Sequence, residues 1–294
     1  MSAELITRIT SIIMSAISLI AGLVGIGSRP STEVVQGFDE RPENTVRIMS
    51  FNVRCTNVGL RSWRMRAPDV CTTIRNGMPD SFGVQEATDN WMEYLDENLT
   101  EYGHVGIGRD DGSGEHSAVF YLKDKYDVVD SGTFWLSPTP EVSSIGWDAA
   151  FRRVCTYAVL KNKESGLTYV HINSHFDHIG VSARSNSVDL ILKKAEEFGD
   201  LPVVFTADMN VTQGSEDYVH ITSGVLRDAK FDAPDTMDNR TFHNSKSEAV
   251  ENRIIDYILI NPHFNAKVYR VVTEQINGNP PSDHHPIYAD LEIV

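Results

Sequence analysis

The chain has 294 residues, of which 41 % are hydrophobic, and its 26 basic and 41 acidic side chains give a formal net charge of −15. A chain of this length can bury a full core, and no linker favours a division into two domains. The acidity disfavours nonspecific binding to long nucleic acids, because that binding requires basic patches that displace counterions. Cys55, Cys71 and Cys155 are widely spaced, which excludes a disulfide framework or a zinc ribbon. We expect three buried thiols, with a single Cys55–Cys71 bridge as the alternative in an exported protein.

An uncharged apolar stretch from Ile9 to Gly27 precedes a polar, acidic connector. As a helix, this stretch would reach roughly 28 Å, close to the thickness of a bilayer core. A cleaved signal peptide explains it about as well, since Gly25 and Gly27 could form a small-residue cleavage site. A buried helix of the domain is the remaining alternative. We predict a signal peptide or N-terminal membrane anchor over residues 1–29, a polar connector over 30–44 and a single domain over 45–294. We also predict that the protein is exported or membrane-anchored, with that domain outside the cytoplasm.

Strand-like and helix-like stretches alternate from about residue 45 to the end. Helices are predicted at Met65–Asn76, Asn90–Asn98, Val181–Phe198 and Glu216–Thr222, and strands at Arg47–Val53, Ser81–Glu86, Gly103–Gly108, His116–Leu122, Tyr126–Asp130, Thr133–Leu136, Val154–Lys161, Val170–His175, Leu201–Ala207, Arg253–Ile260, Val268–Thr273 and Pro286–Val294. Strands in groups with helices between them favour a four-layer α/β sandwich, with two mixed β-sheets packed face to face and helices outside. The glycine-rich Gly106–Gly112 lacks the lysine of a phosphate loop, and we interpret it as a mobile loop.

Polar side chains lie at or near the ends of six predicted strands. These side chains are Asn52, Glu86, His175, the Asp208/Asn210 pair, Asp256 and the Asp283-His284 pair. Five of them, Asn52, Glu86, Asp208, Asn210 and Asp283, offer only oxygen ligands. A hard cation such as Mg²⁺ or Mn²⁺ selects oxygen, whereas Zn²⁺ favours more nitrogen or sulfur. Mg²⁺ with histidines nearby indicates phosphoryl chemistry.

Six motifs in order make the chain resemble the endonuclease/exonuclease/phosphatase superfamily, whose members share a deoxyribonuclease I-like fold. The motifs are Ser50-Phe51-Asn52, Gly83-Val84-Gln85-Glu86, Asn173-Ser174-His175-Phe176-Asp177-His178, Thr206-Ala207-Asp208-Met209-Asn210, Ile255-Asp256-Tyr257 and Ser282-Asp283-His284. The stretches Phe134–Ser137 and Gly146–Ala150 are similar to those of a bacterial subgroup whose substrates are mostly unassigned, with some members acting on sugar phosphates. Ala207 and Met209 depart from the usual motif, but neither supplies a ligand.

The resemblance implies a role for each matched residue. Glu86 would be the main metal ligand, assisted by Asn52 and by Asp283, with a water between Asp283 and the metal as the alternative to direct contact. Asp208 and Asn210 would orient the attacking water and hold a phosphoryl oxygen, or complete a second metal site. Asp256 would orient His284 for acid/base chemistry, while His175 would donate to the phosphate or leaving group with the Glu115 carboxylate behind it. Arg153 is a candidate phosphate clamp, because guanidinium pairs bidentately with phosphate.

The expected activity is Mg²⁺-dependent hydrolysis of a phosphoester, with Mn²⁺ able to substitute. The expected partner is a small sugar-linked or lipid-linked phosphate, and the N-terminal segment offers a contact with a membrane. A nuclease is the first alternative, disfavoured by the acidic charge. A non-catalytic binding module is the second, and it should have lost at least one of Glu86, Asp208, Asp283 or His284, all of which are present.

Overall fold

The computed structural model describes residues 38–56, 62–244, 253–276 and 278–294. The predicted signal peptide or anchor over residues 1–29 lies outside the described residues, as does the first part of the connector. Within the described ranges, none of the helices has the length and apolar character needed to cross a membrane.

Fifteen strands and five helices make up the described part of the chain. In chain order they are β1 (Thr45–Asn52), α1 (Trp63–Gly77), β2 (Ser81–Gln85), α2 (Asp89–Asn98), β3 (Tyr102–Val105), β4 (Gly108–Asp110), β5 (Ser113–His116), β6 (Val119–Leu122), β7 (Tyr126–Trp135), β8 (Val154–Asn162), β9 (Thr168–His175), α3 (Val181–Glu197), β10 (Val203–Asp208), α4 (Glu216–Ser223), β11 (Arg227–Asp228), α5 (Ala229–Asp232), β12 (Asp235–Thr236), β13 (Asp256–Ile260), β14 (Phe264–Val271) and β15 (Ile287–Ile293).

Two mixed sheets carry the fold, as predicted. The first has the order β12-β14-β15-β1-β2-β6-β3 and the second has the order β11-β13-β10-β9-β8-β7. A third, two-stranded ribbon of β4 and β5 was not predicted. The segment Gly106–Gly112, interpreted from the sequence as a mobile loop, contributes strand β4 to this ribbon.

One predicted pair of strands is a single strand. The sequence suggested a break near Ser131-Gly132, but β7 pairs with β8 along its whole length, with an irregularity between Val128 and Asp130. Gly132 lies against the ring of Tyr157, where an added Cβ would approach within 2.7 Å of the ring. The glycine therefore serves a close side-chain approach inside a strand, not a turn.

The core of the described residues is divided into three buried clusters, which define the four layers. One cluster lies between the sheets and includes Ile48, Val204 and Ile258. A second packs the outer face of the first sheet on α1 and α2, and a third packs the outer face of the second sheet on α3 and α4. The three cysteines are free, as expected, although Cys55 is only partly buried.

The strand directions bring the predicted site residues to one edge. Strands β1 and β2 run parallel, with Asn52 opposite Gln85, and β9 and β10 run parallel, with His175 opposite Asp208. Antiparallel β13 begins at that same edge, with Asp256 opposite Asp208. Parallel strands that end together deliver their last side chains to one edge of a sheet, so both sheets contribute to a single site.

The first described residues are fastened away from that edge. Phe38 stacks on Tyr288 with ring centroids 5.2 Å apart, and it packs beside Gly77, where α1 ends. Arg41 forms a 2.6 Å ion pair with Asp80, immediately before β2. Since α1 leads from the end of β1 back to the start of β2, these contacts lie toward the opposite end of the strands.

Candidate active site

Glu86 and Asn52 meet at the end of the first sheet. The Asn52 amide nitrogen donates to Glu86 Oε1 at 3.0 Å, and the Cys55 backbone N–H donates to Oε2 at 2.9 Å. Burial alone would raise the pKa of Glu86, but these hydrogen bonds and the charge of His284 lower it below its usual value. The lowered pKa favours the ionised form of Glu86, which can bind a cation.

Backbone strain marks two residues of the site. Glu86 has a φ of 60° and Asn210 a φ of 54°, both in the left-handed region. This conformation is costly for a residue with a side chain and is found where surrounding structure enforces it, often at functional sites. Each of the two residues follows the end of a central strand, so the unusual backbone turns its side chain into the shared edge.

Asp208 lies at the meeting point of the two sheets. Its Oδ2 accepts a 2.9 Å hydrogen bond from the Asn52 amide and lies 3.5 Å from His175 Nε2 and 3.7 Å from His284 Nε2. Its Oδ1 accepts from the Asn210 backbone N–H at 3.0 Å. Burial and the neighbouring charge of Asp256 raise the pKa of Asp208 to about 7. A carboxylate with such a pKa can accept a proton near neutral pH.

His284 pairs with Asp256, as the sequence predicted. Its Nδ1 lies 2.9 Å from Asp256 Oδ2 and 3.1 Å from Oδ1. Burial would lower the pKa of His284, yet the charges of Asp256 and Asp208 raise it to about 10. The imidazole is thus held as a cation whose Nε2 faces Asp208.

His175 has the opposite character. Burial, together with the charges of Arg153 and His284, lowers the pKa of His175 well below its usual value, which keeps the ring neutral. Its Nε2 lies 3.1 Å from the Asn210 amide nitrogen. Two histidines of one site therefore differ in charge, an arrangement that separates proton-handling roles.

The expected pairing of Glu115 with His175 is wrong. Glu115 Oε2 instead accepts a 2.7 Å hydrogen bond from Arg109, and the described residues contain no hydrogen bond between Glu115 and His175. The physical reason is the β4–β5 ribbon, in which Arg109 and Glu115 adjoin the paired residues Gly108 and His116. Burial, partly offset by Arg109, raises the pKa of Glu115.

Arg153 lies at the wall of a cleft beside the site. Glu86, Arg109, Glu115, Arg153 and His175 all line this cleft. Arg153 Nε is 3.5 Å from Asp177 Oδ2, and Nη2 is 3.3 Å from His178 Nδ1. Burial and the nearby Arg109 lower the pKa of Arg153, but a guanidinium stays charged. The predicted contact of Arg153 with phosphate stays a prediction.

Asp283 makes no hydrogen bond with Glu86 or with the Asn52 side chain among the described residues. Its Oδ2 is 3.3 Å from Arg54 Nε, and its Oδ1 accepts from Ser282, whose hydroxyl also donates to the Asn52 backbone carbonyl. Direct ligation by Asp283 therefore stays a prediction.

The donor chemistry fits a divalent metal. Glu86 and Asp208 both accept from the Asn52 amide nitrogen, while the Asn52 amide oxygen accepts from the Arg54 backbone N–H. The two carboxylates offer oxygens, the ligands that hard cations prefer. A second group of potential ligands, Asp208, Asp256 and His284, has ligand atoms within 4.8 Å of one another. In this second group, His284 already supplies a positive charge beside the carboxylates. The first group, which offers only oxygen ligands, is therefore the better place for Mg²⁺.

Sequence reasoning missed a buried polar network that holds the two sheets together behind the site. His171 contacts Ser81 at 2.8 Å and Thr206 at 2.9 Å, while Asn173 accepts from Gln85 at 2.7 Å and from Thr206 at 3.0 Å. The available signal was the polar alternation of β9 within a fully buried strand. Arg109 was also missed, because only neighbouring glycines marked its segment.

Comparison with known proteins agrees with this geometry. The model of the "Endonuclease/Exonuclease/phosphatase family" matches residues 49–284, while no curated protein matches the chain. Among solved structures, an endonuclease/exonuclease/phosphatase from Bacteroides vulgatus is 39 % identical with a TM-score of 0.82, covering 86 % of this chain and 100 % of that one. A mannosyl-6-phosphatase from Bacteroides thetaiotaomicron is 36 % identical with a TM-score of 0.79, covering 84 % and 99 %.

A more distant likeness concerns the fold alone. The human Nocturnin catalytic domain is 19 % identical with a TM-score of 0.70, covering 91 % of this chain and 100 % of that one. Because the family model and the Bacteroides structures cover most of the chain and the site residues converge in the matched region, the chain belongs to the endonuclease/exonuclease/phosphatase family of phosphoesterases.

Proposed function

We propose that the protein hydrolyses the phosphoester of a small, sugar-linked substrate with Mg²⁺, which Mn²⁺ can replace. The observation that carries the proposal is the convergence of Asn52, His175 and His284 on one Asp208 oxygen, beside the ionised Glu86. Enzymes of this family depend on a divalent metal. The sugar-linked substrate is supported by the similarity to the mannosyl-6-phosphatase.

The residues divide the reaction between them. Glu86 would hold the metal, with Asn52 and Asp283 as the further ligands that the resemblance implies, and the bound metal would withdraw charge from the phosphoryl oxygens. Asp208 accepts the proton of the attacking water, whose oxygen bonds to phosphorus while the bond to the leaving-group oxygen breaks. The leaving-group oxygen takes a proton from solvent water, and Asp208 releases its proton to solvent. The cationic His284 and Arg153 stabilise the charge that gathers on the phosphoryl oxygens. Asp256 keeps His284 oriented and protonated.

Nucleic acid is the second candidate substrate. The net charge of −15 disfavours it, because a polyanion would be repelled by the average field of the protein. DNA and RNA therefore serve as comparison substrates.

The test is a Mg²⁺ and Mn²⁺ activity screen over sugar phosphates, inositol phosphates, sphingomyelin, nucleotides and single- and double-stranded nucleic acid. Glu86→Gln keeps the shape of the side chain but removes the charge that faces the metal, so we expect hydrolysis to fall by roughly 100-fold or more. Glu101→Gln is the matched control, because Glu101 forms an exposed pair with Arg75 away from the site.

The proposal fails if chelation of the metal or Glu86→Gln leaves hydrolysis unchanged. It also fails if nucleic acid is hydrolysed faster than every small phosphoester, or if no substrate of the panel is hydrolysed.

A further inference from the structure

We infer that Arg109, Glu115 and Phe151 form a subsite that selects the leaving group of the substrate, and that this subsite fits an uncharged, polyhydroxylated ring. The inference deepens the proposed function and rests on it. It follows from three features: a donor–acceptor pair that lines the cleft beside Glu86 and is incompletely used, an exposed aromatic ring held next to Arg109, and the balance of charge around both.

The Arg109–Glu115 pair lies beside the site proposed for hydrolysis. Both residues line the same cleft as Glu86 and His175, and both belong to the β4–β5 ribbon, which stands apart from the two main sheets. The side chains are 12 % and 19 % exposed, so the pair is largely withdrawn from bulk water. No role in the hydrolysis assigned above uses either residue.

The pair retains unused hydrogen-bonding capacity. Arg109 donates through Nη1 to Glu115 Oε2, while its buried Nε has no hydrogen-bond partner among the described residues. Asp110 Oδ2, 4.0 Å from that Nε, is too distant to accept. A buried donor without an acceptor is costly, and a ligand oxygen would relieve the cost. An available donor beside a carboxylate matches the neighbouring hydroxyl groups of a sugar.

Phe151 adds an apolar face to the pair. Its side chain is 48 % exposed, although the Arg109 guanidinium lies 5.0 Å from the ring centroid and the His178 ring lies nearly parallel to it at 5.9 Å. The Phe151 backbone N–H donates to Asp177 at 3.3 Å. A large apolar ring held by such contacts loses little further freedom when it covers the hydrocarbon face of a ligand.

The charges of the cleft favour a neutral leaving group. Arg109 faces Glu115 at 2.7 Å, Arg152 faces Asp110 at 3.5 Å and Arg153 faces Asp177 at 3.5 Å. Each of these three guanidinium charges is therefore accompanied by a carboxylate, and a second phosphate on the leaving group would gain little attraction from them. A hydroxylated ring requires no surplus charge, because it is recognised by paired donors and acceptors.

The experiment compares mannose 6-phosphate with p-nitrophenyl phosphate, whose leaving group has no vicinal hydroxyl groups, in the Mg²⁺-loaded protein. For Arg109→Ala, Glu115→Gln and Phe151→Ala, we expect kcat/KM for mannose 6-phosphate to fall at least about tenfold more than kcat/KM for p-nitrophenyl phosphate, chiefly through KM. Arg109→Lys keeps the charge but loses the fork of donors, and it should show the same selective loss.

Arg75→Ala is the matched control, because Arg75 forms an exposed pair with Glu101 at 3.0 Å on the outer side of the first sheet. It should leave the ratio of the two substrates unchanged. Thermal unfolding of each variant separates loss of selectivity from loss of folding. Equal losses on both substrates, or no loss on either, would overturn the subsite while leaving the proposed hydrolase intact. A wild-type protein inactive toward both would instead remove the proposed function on which the subsite rests.

Discussion

At the scale of single residues, a few hydrogen bonds decide which groups of the site carry charge. His284 contacts two carboxylates and has a raised pKa, whereas His175 lies beside Arg153 and has a lowered one. The two rings approach the same Asp208 oxygen, at 3.7 Å and 3.5 Å. One ring can therefore stabilise negative charge while the other remains neutral, although both are buried histidines.

The Asp256→Asn variant tests the positioning of His284. The amide keeps the shape of the side chain but removes the charge that raises the His284 pKa, so the pKa should fall. We expect kcat to drop by about 100-fold or more with little change in KM, since the loss concerns charge stabilisation in the transition state. Steady-state kinetics with saturating Mg²⁺ measures both constants.

Asp235→Asn is the control for Asp256→Asn, because Asp235 is an exposed aspartate paired with Arg270 at an outer strand. It should change kcat by less than about twofold, since exposed pairs contribute little. A normal kcat in Asp256→Asn would show that His284 does not depend on its carboxylate.

The sequence predicted the contacts of some site residues better than others. The His284–Asp256 pair could be foreseen, because an aspartate within a hydrophobic strand requires a partner and the Asp283-His284 dipeptide lies beside the last strand. The Arg109–Glu115 pair could not, since it depends on the cross-strand register of a short ribbon containing several glycines. Local pattern gives no register for such a ribbon.

At the scale of elements, the close approach of the two sheets depends on one glycine. Gly83 lies in the middle of β2, and a Cβ placed there would be 2.3 Å from Asn173 Oδ1 and from Thr206 Oγ1. Both atoms belong to the polar network between the sheets. A side chain at this position would therefore separate β2 from β9 and β10, the strands that deliver Glu86, His175 and Asp208.

Gly83→Ala should lower the free energy of unfolding by on the order of 1–3 kcal/mol, because the added methyl group overpacks a buried interface. Urea unfolding followed by circular dichroism measures the change. Gly224→Ala is the matched control, since its nearest neighbour would be Leu192 at 3.4 Å, an ordinary contact. Equal stability of the two variants would contradict the proposed role of Gly83.

At the scale of the whole molecule, the network between the sheets links stability to pH through His171. Burial lowers the pKa of His171 to about 3, compared with 6.5 for an ordinary histidine. Between these values the unfolded chain binds a proton that the folded protein does not, so acid favours unfolding. The free energy of unfolding should therefore decrease as the pH falls below 6.5, by up to about 1.4 kcal/mol per pH unit from His171.

The test compares urea unfolding of the wild-type protein and His171→Gln between pH 5 and pH 8. The stability advantage of the wild type should be largest above pH 6.5 and should shrink as the pH falls, because glutamine does not titrate. His220→Gln is the control, since His220 lies on α4 with a half-exposed side chain. A difference between wild type and His171→Gln that is constant with pH would rule out this linkage.

Much of the global architecture follows from the sequence, because the apolar periods of β1, β9, β10 and α3 are regular. The four-layer sandwich and the common edge of the site were therefore predictable. The continuous β7 strand and the β4–β5 ribbon were not predictable. A glycine such as Gly132, or one near Arg109, can serve either close packing or a tight turn, and the two uses look alike in sequence. Tertiary contacts, not local propensity, decide between these uses of glycine.

The contacts of Phe38 determine which end of the domain would face a surface to which the start of the described chain was attached. Phe38, Asp39 and Arg41 fasten the start of the described chain to Tyr288, Arg270 and Asp80, toward the end of the strands that lies away from the site. If the protein were immobilised through this region on a bead or a vesicle, its catalytic edge would face the bulk liquid. Dissolved phosphoesters would then reach it freely, whereas phosphoesters embedded in the supporting surface would be on the wrong side of the domain.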